Sequence, residues 1–265
     1  MEIPLFPLHT VLCPGIVLPL HIFEERYRAM TRRCLDSGEP FGVVLIRGGR
    51  QVGRRPVATL AGVGAFAEIR EAGRYPDGRY DLLAAATGRF AIESVDAQKE
   101  PYLVAQVTPL DDEVGDEPRA ERLAATAIRR FVRYLDLMRA RDGESTEVLD
   151  IRVEIESGSD DDELPGDTPT AAAGNVPEPE PTAGSSEAPS RHDLVIPDDP
   201  TVLSYLLSGI VQIELPRRQA LLEAETTVER LEGLIGLLER ELVLLGKRLR
   251  YFTPDPKLLG GARRS

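Results

Sequence analysis

Apolar residues in the first 110 positions fall in short runs of strand length, and after about position 117 their spacing becomes helical. Phe41-Gly42-Val43-Val44-Leu45-Ile46 is a compact apolar run rich in β-branched residues, which predicts a strand. Residues 57–69 are apolar but loosened by Gly62 and Gly64, so a bulged or bent strand in a curved sheet is expected. Tyr75-Pro76-Asp77-Gly78-Arg79 has turn chemistry. Further strands are predicted over 80–86, 90–95 and 103–107. Strands this short and dense suit a small closed or half-closed barrel. One helix interrupts them: Phe23, Tyr27, Met30 and Cys34 recur at spacings of four, three and four. Gly38 is placed to end it in a left-handed cap.

The helical pattern begins with Leu123, Ile128, Phe131, Val132, Leu135 and Met138, which predict one side of a helix over 118–141. Pro118 suits its first turn, where a missing N–H costs nothing. Asp199-Pro200 reads as a cap followed by a first turn, with a short helix through Val202, Tyr205 and Leu206. Pro216 opens another helix carrying Leu221 and Leu222. Thr226 and Glu229 form a capping-box pattern. The last helix carries Val228, Leu231, Ile235, Leu238, Leu242, Leu245 and Leu249. Such a 3–4 alternation fits a coiled-coil seam or the core face of a bundle. Leu234, Leu237, Val243 and Leu244 widen the face, which favours packing inside one chain and a monomer.

Composition changes this picture in one stretch. The chain has 265 residues, 42% of them apolar, enough for one large domain or two small ones. Its net charge is −12, and residues 157–193 carry nine acidic groups against one Arg. Six of the 21 prolines also lie there, with almost no large apolar side chain. Ordering a backbone costs roughly 1–2 kcal/mol per residue, and this segment has little to bury in return. It is read as a disordered acidic insertion. The overall acidity argues against general affinity for nucleic acid, which needs clustered Lys and Arg. Prolines at 4, 7, 14 and 19 interrupt any signal-peptide core, and no run of about 18 apolar residues predicts a membrane span. The expected location is cytoplasmic, with no membrane partner.

Candidate chemistry is sparse. Cys13 and Cys34 are too few for a disulfide framework and read as small buried hydrophobes. Gly62-Val63-Gly64-Ala65-Phe66-Ala67 matches a loose dinucleotide fingerprint, but its flanks read as strand on both sides, so close strand packing is the expected role. His9, His21 and His192 lack metal-ligand spacing, and Asp160-Asp161-Asp162-Glu163 lacks the glycine of a calcium loop. The Walker pattern is absent from the three lysines, at 99, 247 and 257. No cofactor, metal or catalytic residue is assigned.

Several short signals occur in a telling order. Ile3-Pro4-Leu5-Phe6-Pro7-Leu8, Pro14-Gly15-Ile16-Val17-Leu18-Pro19-Leu20 and Phe23-Glu24-Glu25-Arg26-Tyr27-Arg28 come first. Asp77-Gly78, Gly88-Arg89-Phe90 and Pro101-Tyr102-Leu103 follow, and Arg218-Gln219-Ala220-Leu221-Leu222-Glu223 precedes the last helix. Together they resemble the amino-terminal, substrate-binding domain of Lon-type ATP-dependent proteases, over about 1–110 and 116–252. The resemblance implies an α+β fold: a β-rich, PUA-like pseudo-barrel subdomain followed by a helical bundle with a long final helix. The expected division is 1–115 for the β-rich part, 116–156 and 194–252 for the helical part, 157–193 for the insertion and 253–265 for a flexible tail. Nothing aligns with the family's ATPase or its Ser–Lys peptidase, so the expectation is a non-catalytic module. It would bind unfolded or tagged polypeptides, or act as an adaptor to a protease or chaperone. The charged side of the first helix, with Glu24, Glu25, Arg28 and Arg32, is the candidate recognition surface. Two alternatives stay open: a small hydrolase with a Cys/His site in a barrel cleft, and a nucleic-acid-binding PUA-like module.

Overall fold

The computed structural model describes residues 1–48, 60–142 and 197–252. The expected insertion at 157–193 and tail at 253–265 lie outside the described residues.

Six strands carry the alternating apolar positions: β1 (Glu2–Leu8), β2 (Val17–Ile22), β3 (Phe41–Leu45), β4 (Val63–Arg74), β5 (Tyr80–Asp96) and β6 (Leu103–Leu110). They form one sheet in the order β2-β5-β4-β3-β1-β6, and β6 pairs back onto β5. That last pairing closes β5, β4, β3, β1 and β6 into a barrel. Only β1 and β3 are parallel; the other pairs are antiparallel. β5 was expected as two strands broken near Gly88. It is one strand, because β4 pairs along nearly its whole length while its other edge changes partner, from β2 over 80–85 to β6 over 89–96.

Alternate residues of each strand serve two cores. Phe6, Phe41, Val43, Ala65, Ala67 and Leu82 pack under helix α1 (Glu25–Ser37) through its Tyr27, Met30 and Cys34. Gly38 ends α1 with φ 70°, as expected. Phe23 does not join the stripe: it precedes the helix and is 62% exposed. Ile3, Leu5, Val44, Phe66, Phe90 and Val107 form the second core. Gly64 explains the fingerprint-like run there. A Cβ on it would lie 2.6 Å from the Phe90 ring and 2.6 Å from the Val43 carbonyl, so β4 needs the bare backbone. Gly62 meets no such crowding.

Four helices follow: α2 (Glu117–Asp142), α3 (Pro200–Ile210), α4 (Leu215–Glu223) and α5 (Thr227–Phe252). Asp199 caps α3 by accepting from the backbone N–H groups of Thr201 and Val202. Thr226 and Glu229 complete the expected capping box, with Glu229 N donating to Thr226 Oγ1 at 3.1 Å and Thr226 N to Glu229 Oε2 at 3.4 Å. α2 and α5 run parallel, since Arg119 pairs with Glu232 and Arg130 with Glu239, advancing together along both helices. α3 shares their direction: Thr201 meets Thr227 at one end, and Gln212 N donates to the Tyr134 hydroxyl at the other.

The third core fills this bundle with Phe131, Tyr134, Leu203, Leu207, Leu231, Leu234 and Leu238. α5 therefore packs within its own chain, but its face is narrower than expected: Val243 and Leu244 are exposed. On α2 the fully buried stripe is Ala120, Ala124, Ala127, Phe131 and Tyr134, while Leu123, Ile128 and Met138 flank it half-buried. Small alanines let the two long helices approach closely. Val202 of α3 faces solvent.

Candidate functional site

β2, the amino half of β5 and the carboxyl half of β4 extend beyond β3, whose pairing with β4 is at residues 65–67. Leu18, Leu20, Ile22, Leu82 and Ile69 turn one face of this three-stranded flap toward α1. The intervening residues share the other face, because paired residues on neighbouring strands point the same way. Across the strands this face reads Val17, Ala85, Glu68; then Pro19, Leu83, Glu71; then His21, Asp81, Gly73. A bulge between Ile69 and Glu71 sets Arg70 out of that register. No Lys or Arg falls among these nine positions, and three are carboxylates. Val17 is 48% exposed, with Pro19, His21 and Asp81 also exposed.

The tip of the flap is aromatic and ordered by one carboxylate. Asp81 accepts from the Tyr75 hydroxyl at 2.5 Å and meets His21 Nδ1 at 2.6 Å. The Tyr75 bond, followed by the His21 bond, lowers the Asp81 carboxyl below its ordinary value, and the same bond raises the Tyr75 phenol. Phe23 stacks beside the His21 ring at 6.2 Å between centroids, and Tyr75 meets His21 edge-on. Arg79 lies over Tyr75 at 5.4 Å and pairs with Asp77 at 2.7 Å. An apolar strip, an aromatic tip and a carboxylate border thus form one open surface.

The four residues singled out from sequence belong to α1 and its N-cap, on the side of the flap opposite the open face, and of them Arg28 reaches the tip. Glu24 pairs with Arg26 at 2.8 Å at the start of α1. Arg28 leans onto the β4–β5 turn, where Gly78 has φ 83° and a Cβ would strike the guanidinium. Glu25 and Arg32 stand exposed on the helix. Sequence reading missed the neighbouring flap. Its signal was the alternation in 17–22, which sends Val17, Pro19 and His21 to the side opposite Leu18, Leu20 and Ile22.

Catalytic geometry is not found among the described residues. Both thiols are buried, and burial pushes Cys13 and Cys34 each up to about 11, disfavouring the thiolate a nucleophile needs. His9 and His21 are exposed. No group of three or more His, Cys, Asp or Glu could hold a metal among the described residues. No described helix is long and apolar enough to cross a membrane.

Behind the flap, a buried polar junction fixes the barrel to the bundle. Arg89 of β5 donates to the carbonyls of Leu222 (2.9 Å), Ala224 (2.7 Å) and Asp111 (3.2 Å), and pairs with Asp112 at 2.9 Å. Arg230 of α5 donates to Leu221 O, Ala224 O and Ser204 Oγ, and lies 3.8 Å above the Tyr205 ring. The Tyr205 hydroxyl donates to Asp112. Burial, with that bond adding to it, raises the Tyr205 phenol, and burial lowers the Arg230 guanidinium. Two guanidiniums face one carboxylate here. The carbonyl end of α4 supplies the remaining negative potential. Gln219 adds a bond from Nε2 to Val63 O at 3.0 Å. The Arg218–Glu223 motif is thus a structural dock.

The architecture is a pseudo-barrel docked on a helical bundle, with an open face that carries an apolar strip and a carboxylate border. The sequence matches the ATP-dependent protease La (LON) substrate-binding domain over residues 2–240, and the chain belongs to that family. It is 24% identical over 245 residues to the Lon protease of Cytophaga hutchinsonii, covering 92% of this chain and 24% of that protein. It is 25% identical over 256 residues to the Lon protease of Escherichia coli K12, covering 94% and 26% respectively. The chain therefore spans about a quarter of the length of the curated relatives it matches. The crystal structure of a Lon N-terminal domain protein from Xanthomonas campestris shares the fold at TM-score 0.50 and 20% identity, covering 89% of this chain and 98% of that one. The N-terminal domain of a Mycobacterium avium complex Lon protease does so at 0.50 and 18%, covering 90% of this chain and 98% of that one. The shared region is a substrate-binding domain and not a catalytic one. Neither an ATPase nor a peptidase occurs in these residues.

Proposed function

We propose that this chain captures unfolded or tagged polypeptide segments on the open face of the β2–β5–β4 flap, with Glu24, Glu25, Arg28 and Arg32, at and after the start of α1, as a second, charged contact surface. The described strands present the face, and the barrel they form meets the described helices α3–α5 through the arginine junction. The observation that carries this reading is the exposed strip of Val17, Pro19 and Phe23 beside a sheet whose other face packs against α1. Membership in a substrate-binding family supports it. The chain works as an adaptor, as a cytoplasmic monomer, passing clients to a protease or chaperone.

Anisotropy of a labelled, permanently unfolded protein tests the capture step. Binding in the micromolar range is expected, since a flexible client loses entropy on capture. Val17→Asp with Phe23→Asp should abolish it while leaving the melting temperature near that of the wild type. Unchanged binding in that double variant would move the site elsewhere.

A further inference from the structure

We infer that the segments taken by this face are apolar–basic: aliphatic or aromatic side chains interleaved with Lys or Arg. The inference rests on the polypeptide-binding reading above and narrows its client class. Its basis is the charge pattern of the open face. Glu68 and Glu71 line the β4 side and Asp81 closes the tip, while Lys and Arg are absent from the nine face positions. Two cations border the face from outside its register: Arg70, displaced by the bulge, pairs with Glu68 at 3.2 Å, and Arg79 approaches His21 Nε2 at 3.5 Å. Glu71 is exposed.

The apolar strip of Val17, Pro19 and Leu83 runs beside this border, one strand spacing of about 4.8 Å per step away. An extended client places successive side chains on opposite sides, and a helical one places them on adjacent rows. Either geometry brings a residue next to an apolar anchor within reach of the border carboxylates. The tip adds a second preference. Arg79 already lies over the Tyr75 ring within the chain, which shows that a guanidinium fits against these aromatics. The neighbouring Phe23 ring is 62% exposed and offers a comparable surface to a client cation. A client bearing carboxylates beside its apolar residues would meet Glu68, Glu71 and Asp81 as like charges.

Three fluorescein-labelled peptides of equal length test this. All repeat Phe and Leu at the same positions and differ only in having Lys, Gln or Glu between them. Titrated with the full chain, they should rank Lys, Gln, Glu, with about a tenfold gap between the extremes at low salt. The gap should shrink as salt rises. Glu68→Lys with Glu71→Lys should invert the ranking, whereas Glu117→Lys with Glu121→Lys on α2 should leave it in place. Val17→Asp should weaken the Gln peptide as well, because it removes the apolar anchor. If no peptide binds, the polypeptide reading itself fails. If all three bind alike, that reading stands and the charge selectivity is wrong. A ranking that responds equally to the α2 and β4 changes would reflect net charge alone and overturn the site.

Discussion

Arg230 is the largest of the fully buried side chains, and its surroundings show how one residue joins two parts of the molecule. Its donors serve the carbonyls of Leu221 and Ala224 at the end of α4, the second shared with Arg89, and its flat face covers Tyr205. Arg230→Met fills similar space but supplies no donor. We expect a loss of about 3–5 kcal/mol in urea unfolding, the scale for breaking a buried charge network. Arg230→Lys should not restore it, because a point-like ammonium cannot reach three acceptors in a plane. The sequence pattern did not single out Arg230, although it stands one residue before Leu231 and four before Leu234, a charge on the apolar side of the last helix. What sequence alone could not supply was the partner set, which joins Ala224 and Leu221, 6 and 9 residues away, to Ser204 at 26 and to the distant Asp112. At the flap tip, Tyr75 is the leading cause of the low Asp81 pKa. Tyr75→Phe should raise that pKa toward the ordinary value, read by carboxyl NMR titration. A depressed carboxyl stabilises the fold above its unfolded pKa, and the contribution disappears as pH falls through the lower, folded one. The variant should therefore lose that acid-side contribution at a higher pH than the parent.

At the scale of elements, the last helix separates residues that look equivalent in sequence. Leu238 is wholly buried between α2 and α3, whereas Leu244, six residues later, is 42% exposed. Leu238→Ala should cost roughly 2–5 kcal/mol in chemical denaturation. Leu244→Ala should stay within about 0.5 kcal/mol, as for other surface changes. Equal losses, together with a dimer that dissociates on substitution, would favour an intermolecular seam. The caps at Asp199 and Thr226, the stop at Gly38 and the turn at Gly78 were legible because each depends on residues within about four positions. Features set by distant partners were not. Phe23 fits a helical stripe on paper, yet the chain enters α1 two residues beyond it, at Glu25. Gly88 looked like a break, yet β4 pairs with β5 on both sides of it, across a bulge between Ala86 and Gly88. On α2 the expected stripe of Leu123, Ile128, Phe131, Val132, Leu135 and Met138 holds in full burial only at Phe131, whereas close approach to a parallel helix selects Ala124 and Ala127.

For the molecule as a whole, the second core contains Tyr205 of α3 and Leu222 of α4 alongside barrel residues, and the arginine junction closes over it. Barrel and bundle should thus unfold as one unit, with near-ultraviolet and far-ultraviolet dichroism melting together. Arg89→Ala should separate the two signals. This rigidity matters for capture, since a preformed face spends less entropy on ordering itself when a client arrives. The net charge of −12 bears on which client that is. PUA-like barrels can serve nucleic acid, but phosphate recognition needs a basic groove, and the open face carries carboxylates. Apolar contacts are not screened as surface charges are. Capture of an unfolded protein should therefore change by less than about threefold between 50 and 300 mM salt, while a structured oligonucleotide stays unbound throughout. The reverse result, no retention of unfolded protein and steep salt-dependent binding of the oligonucleotide, would make the barrel a nucleic-acid reader. It would also require a basic surface that the flap does not supply.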